Sequence, residues 1–177
     1  MLALAPRHER VDYIRHDINT LPVPEILQQV RFDCFAIGRA IHWIDEGALA
    51  QVTEQNLKRE GCILICGSGF SDKTKWIAAF RNLKEAYSHD EGEKDHKGNR
   101  KLGRIGFQFQ KEMYSENKTR LSLDGLAKHA MSYGRSAELI HRNLPRFKKE
   151  LADAMALYLV DGKLQGAVIS WMTIYRR

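Results

Sequence analysis

Two short apolar runs, Phe32–Ile37 (FDCFAI) and Cys62–Cys66 (CILIC), with one helix-length of chain between them, restrict the fold more than any other feature. Continuous apolar runs of this length suit strands covered on both faces. Between them Ala48, Leu49, Val52 and Leu57 recur at helical spacing from a start near Asp45, and Lys58–Gly61 (KREG) reads as a turn. A strand, a crossover helix and a second strand make a parallel pair.

The rest of the chain extends that pattern. Val11, Tyr13 and Ile14 alternate with polar neighbours in a short strand ending near Asp17, Asn19–Pro24 is turn chemistry, and PEILQQV is a short helix. Trp76, Ile77, Phe80 and Leu83 mark a helix over Lys73–Tyr87, IGFQFQKEMY alternates as a strand, and residues 122–160 are helical with breaks at Ser132–Arg135 and at Pro145. GAVISWMTIYRR closes the chain as a last strand. Alternation of this kind predicts an α/β layered fold with a largely parallel sheet.

Composition narrows the function classes. No run of about 18 apolar residues is present, so no transmembrane helix is expected. Cys34, Cys62 and Cys66 form an odd set without a CxxC pair, which suits reduced, buried thiols in a cytoplasmic protein. Residues 94–149 hold 14 Lys/Arg against 5 Asp/Glu, a block of about +9 within a chain of net charge +6. Such a block favours an anionic partner or a solvated surface, and no RNA-binding aromatic motif, helix-turn-helix or finger spacing accompanies it, which argues against nucleic acid. Ser88–Arg104 is almost purely polar and reads as a loop. His89, Asp90, Glu91, Asp95 and His96 lie there without a regular element to fix them, so no metal site is expected.

The stretch CILICGSGFSDK looks like a cofactor-cradling glycine turn, because Gly67 and Gly69 follow an apolar strand. A dinucleotide fingerprint needs a third glycine and an acidic residue ending the next strand about 20 positions on. Neither is present, and GxxxxGK[ST] is absent as well. The pair is better read as a strand-to-helix turn.

The residues before that strand carry a resemblance. FDCFAIGRAIHWIDEGALAQVTEQNLKREGCILICG resembles the second half of class I S-adenosylmethionine-dependent methyltransferases of the HW type. Phe32-Asp33, Ala40, His42, Trp43 and Asp45 match the family's fourth strand and the turn after it, and Leu57–Gly61 stands in for its LKPGG-like turn. HDINTLP is similar to the end of the third strand, LSLDGLAKHAMSYGRSAEL to a later helix and turn, and ISWMTIYRR to the closing strand. The resemblance covers essentially the whole chain and makes it a single partial methyltransferase domain. Residues 1–87 would be the remaining α/β core, 88–104 a polar loop and 105–177 a C-terminal strand–helix–strand portion.

The implied fold is a Rossmann-like methyltransferase sheet lacking its first two strands and its glycine-rich loop, which would precede Met1. That absence would leave the Phe32–Ile37 strand with an unpaired apolar edge. The third strand could close onto the fourth, a homodimer or a separately encoded N-terminal fragment could supply the pairing, or the true protein could start upstream.

The implied cofactor is S-adenosylmethionine and the implied partner a small-molecule methyl acceptor. Asp17 matches the acid on the adenine side, with Ile18 lining the ring. Gly38, Arg39 and Ala40 would border the methionine part, although Arg39 departs from the small or polar residue usual there. His42 and Trp43 would face the substrate, with His42 as the candidate catalytic residue, since a neutral imidazole can take a proton from an acceptor. The competing reading is that both rings pack against the helix start. Methyl transfer mainly requires positioning of acceptor and methyl in line, so no catalytic triad is expected. A non-catalytic homologue acting as a binding or oligomerisation partner is the alternative.

Overall fold

The FDCFAIG and CILIC runs do form neighbouring parallel strands, β1 (Phe32–Gly38) and β2 (Leu57–Phe70), in the computed structural model, which describes residues 8–88, 98–132 and 134–177. Helix α2 (Glu46–Asn56) connects them, and a four-residue helix, α1 (Glu25–Gln28), precedes β1. The register runs Cys34↔Cys62 to Gly38↔Cys66, but Phe32 pairs with Leu57. Lys58–Gly61 is therefore a bulge carried inside β2 rather than a turn before it.

Downstream come α3 (Ile77–Glu85), α4 (Gly98–Arg104) and β3 (Gln108–Leu121), then α5 (Leu123–Met131), α6 (Gly134–Arg142), α7 (Leu144–Met155), β4 (Leu159–Val160) and β5 (Lys163–Arg176). Pro145 stands in the first turn of α7, where its missing N–H costs nothing. Ser122 caps α5 by accepting from the Gly125 N–H at 3.0 Å.

The sheet order is β1-β2-β5-β3, with β4 beside β5. β4 and β5 are antiparallel, so the α/β fold has a mixed sheet rather than a largely parallel one. Asp161 and Gly162 join them with φ of 51° and 70°. Positive φ at both central residues of a two-residue hairpin is the Asp-Gly signature of a type I′ turn, and this turn delivers the last strand between β2 and β3.

Three local expectations are corrected. Val11–Asp17 is not a strand: a single bridge joins His8 to Val11, and Val11, Tyr13 and Ile14 are exposed. Alternation confers no strand without a partner to complete its hydrogen bonds. Residues 98–104 of the expected loop form α4, anchored by the fully buried Leu102. Residues 89–97, with the His and Asp/Glu set noted above, lie outside the described residues. Gly67 and Gly69 lie inside β2, not in a turn after it.

The chain forms two compact units. One comprises Met1–Cys66, Asp95–Glu112 and Thr173–Arg177. Its core joins Ile37, Ile41, Ile44, Leu49, Leu57, Ile63, Ile65, Leu102, Phe107 and Tyr175. Phe35, Ile37, Ile63 and Ile65 share one face of the β1/β2 ladder, and α2 brings Leu49 into the same cluster. The opposite face carries Cys34, Ala36, Cys62, Leu64 and Cys66, all half-buried or exposed. The expectation of strands covered on both faces thus holds for one face only, and the three thiols, on the other face, are half-buried rather than buried. Burial first, then the hydrogen bond with Cys62 and the nearby thiols, push the Cys34 thiol up from 9.0 to about 11.

The other unit comprises Gly67–Lys94 and Met113–Met172. Helices α3, α5, α6 and α7 enclose Trp76, Phe80, Leu126, Ile140, Phe147, Leu151 and Met155, each at most 1% exposed. Much of the basic block lies here, and several of its charges are paired locally. Lys128 and Lys148 pair with Asp124, Arg142 with Glu138 and Arg146 with Glu150. No described helix is long and apolar enough to cross a membrane.

Candidate functional site

At the carboxyl end of β1 the chain turns sharply. Arg39 has φ of 53°, in the left-handed region, and its N–H donates to the Cys66 carbonyl at 2.9 Å, the last link of the β1/β2 ladder. A Cβ placed on Gly38 would meet nothing within 4 Å, so the backbone there faces open space. Ile41–Trp43 then forms one turn of 3₁₀ helix, closed by the Trp43 N–H to the Ala40 carbonyl at 2.9 Å.

The pattern IHWI decides what this turn displays. Ile41 and Ile44 are buried and enter the core, whereas His42 is exposed and Trp43 is 72% exposed. Their ring centroids are 4.9 Å apart. Trp43 therefore does not pack against the helix start, and the pair stands outward on a one-turn pedestal. Asp45 does structural work: its carboxylate accepts from the Gly47 and Ala48 N–H groups at 2.8 and 3.1 Å and caps α2.

Asp17 and Ile18 sit on the neighbouring turn. Asp17 is exposed, its carboxylate accepts from the Asn19 N–H at 3.0 Å, and its carbonyl accepts from Thr20 at 2.8 Å. Ile18 is half-buried against the core. Asn19 ties this turn to the other: its amide donates to the Trp43 carbonyl at 3.0 Å and accepts from the Asp45 N–H at 2.7 Å. The turn bearing Asp17 and Ile18 and the turn bearing His42 and Trp43, which follows Gly38–Ala40, are thus brought together.

A second tie comes from α4. Lys101 donates to the Ile41 and Ile44 carbonyls at 3.2 and 2.5 Å. Arg104 donates twice to the Glu46 carboxylate, at 2.7 and 2.5 Å, and holds that carboxyl below its ordinary range. Reading the sequence missed Asn19, Lys101 and Arg104. Asn19 had a partial signal, as a turn former two residues after Asp17. Lys101 and Arg104 had none, because a contact some 57 or 58 residues distant leaves no local pattern. Among the described residues no cluster of three or more His, Cys, Asp or Glu side chains could hold a metal ion.

No protein-family model matches the chain, and no curated protein matches it. Among solved structures, a candidate type II methyltransferase from Anaeromyxobacter dehalogenans is similar with a TM-score of 0.71 and 16% identity, over 98% of this chain and 74% of that one. A candidate methyltransferase from Bacillus halodurans C-125 is similar at a TM-score of 0.48 and 14% identity, over 96% of this chain and 72% of that one. Likeness at such low identity speaks for fold alone, and the fold is that of the first of these structures: the chain has a Rossmann-like α/β architecture.

Proposed function

We propose that the chain supports S-adenosylmethionine-dependent methyl transfer to a small-molecule acceptor. The observation that carries this reading is the outward His42–Trp43 pair at the carboxyl end of β1, tied to the Asp17 turn. Open α/β sheets bind ligands at the carboxyl ends of their strands. The residues present fit the cofactor: Asp17 offers an exposed carboxylate to an adenine amino group, Ile18 an apolar edge, and Gly38, which opens the Gly38–Ala40 turn, an open position beside the methionine part. When bound, the cofactor supplies a methyl group already activated on a sulfonium. His42 would hold or accept the acceptor's proton, and Trp43 would present an indole face that excludes water and orients an apolar acceptor.

Calorimetric titration of the chain with S-adenosylmethionine and S-adenosylhomocysteine tests this reading. Micromolar affinity, weakened at least tenfold in Asp17→Ala, is the expected result. No heat at millimolar ligand would overturn it.

One observation favours the second reading, a binding or oligomerisation partner. β1 ends the sheet order, so no described strand pairs with its outer edge, and its only charged side chain, Asp33, is engaged by Lys58 at 2.7 Å. At the other end of the sheet, β3 carries Lys111, Glu112, Glu116, Lys118 and Arg120, the kind of charge that blunts an exposed edge. On this reading β1 pairs with a second copy or with a strand from a separate fragment. Sedimentation velocity at micromolar concentration should then give twice the 20.4 kDa chain mass, returning to monomer in Ala36→Lys. A monomer throughout would leave only the separate fragment.

A further inference from the structure

We infer that Asn19 is a positioning residue, which makes the Asp17 turn and the His42–Trp43 turn one mechanical unit, with Lys101 as the second anchor. The inference rests on the methyl-transfer reading for its functional consequence, but its structural basis is independent of it.

The geometry is specific to asparagine. Its side chain must donate to the Trp43 carbonyl and accept from the Asp45 N–H at once, and only one orientation of an amide does both. Aspartate keeps the acceptor but sets a carboxylate oxygen against a carbonyl. Alanine removes both bonds. The same residue's backbone N–H is held by the Asp17 carboxylate, so one chain of hydrogen bonds runs from Asp17 through Asn19 to Trp43 and Asp45.

From the other side, the Lys101 ammonium bridges the carbonyls of Ile41 and Ile44, the residues that flank His42 and Trp43. Bonds of a charged donor to carbonyls are stronger than neutral ones. His42 and Trp43 are themselves exposed, so packing does little to fix them. What holds their backbone is the buried isoleucine on each side and these two clamps. A ligand that engages Asp17 therefore acts on the same rigid element that displays the imidazole and the indole. Through it, cofactor binding would set the pose of the acceptor-facing pair.

The test compares the full chain with Asn19→Ala, Asn19→Asp and Lys101→Met, each first shown by far-UV circular dichroism and a cooperative denaturation transition to be folded. Amide hydrogen exchange without ligand reads the clamp alone. Exchange at Asp45 is expected to rise about tenfold in Asn19→Ala, and at Trp43–Asp45 in Lys101→Met. Titration with S-adenosylhomocysteine reads the consequence. Ligand should slow exchange at Asp45 in the wild type and fail to do so in Asn19→Ala, where affinity also falls several-fold. Asn19→Asp should resemble Asn19→Ala in its response to ligand despite keeping one bond.

Unchanged exchange at Asp45 in Asn19→Ala would overturn the clamp. A faster Asp45 with ligand protection equal to the wild type would overturn the coupling. If the wild type binds no ligand, the methyl-transfer reading fails, and the exchange comparison still decides whether Asn19 is the clamp. Should Asn19→Ala not fold, Asn19→Leu, which has a similar size and neither the donor nor the acceptor, carries the Asp45 exchange comparison, and Asn19→Asp carries the response to ligand.

Discussion

Trp76→Ala is expected to cost about 3–5 kcal/mol of folding stability, the range for truncating a large buried aromatic. Trp76 is 1% exposed, stacks edge-on with Phe70 and Phe80 at 4.8 and 6.1 Å, and donates its indole N–H to the Gln165 carbonyl at 2.8 Å. Alanine would leave a cavity among Phe70, Phe80 and Leu164 and strip that carbonyl of its partner. A Cβ at Gly166, next to the bonded carbonyl, would lie 3.2 Å from the Trp76 ring, so the backbone there packs directly against the indole. Trp43→Ala is the matched control. With the indole 72% exposed, its cost should stay within about 0.5 kcal/mol. Urea denaturation followed by far-UV circular dichroism measures both, free of the change in tryptophan fluorescence. A loss below about 1.5 kcal/mol for Trp76→Ala would mean that the helical core closes around the missing ring.

The two tryptophans also show how far a sequence can be read. Trp76 lies in a helical pattern with Ile77 and Phe80, and that periodicity announces a buried face. Trp43 sits between Ile41 and Ile44, an i, i+3 pair that fits one turn of helix, and the same pattern says that the residues between them point outward. The strand–helix–strand unit was legible because parallel strands and their crossover leave local signals: apolar runs and a 3.6 period. Sheet order was not. The last strand enters between β2 and β3 through the Asp161-Gly162 hairpin, whose type I′ signature is only two residues long and falls between the expected helical stretch and the expected closing strand. The strand expected at Val11–Asp17 failed for the opposite reason. Its alternation was present, but strand formation depends on a partner, and alternation does not encode one. In the candidate site the exposed groups were legible through motif resemblance. The clamps were not, since Asn19 and Lys101 act on carbonyls and an N–H whose positions only the folded chain determines.

Gly67→Ala separates the two meanings that a glycine pair after an apolar strand can have. In β2, Gly67 is where the Trp171 ring lies against the backbone: a Cβ there would come within 2.4 Å of the ring, far inside van der Waals contact. Trp171, 37% exposed beside Met113 and Tyr114, must tilt away or β2 must shift. Overpacking of this kind costs about 1–3 kcal/mol. Gly69, two residues on, has nothing within 4 Å of its Cβ position, so Gly69→Ala should be neutral or slightly stabilising, because alanine loses less backbone entropy in a strand. A ligand-cradling loop would behave differently: both substitutions would weaken ligand binding and neither would depend on a distant tryptophan. The decisive measurement is a double-mutant cycle. Trp171→Ala should relieve most of the cost of Gly67→Ala, giving a coupling of about 1–2 kcal/mol in urea denaturation, whereas Trp171→Ala with Gly69→Ala should be additive. Additivity at Gly67 as well would mean that the ring is not what this glycine accommodates, and the pair would have to be explained by something that binds it.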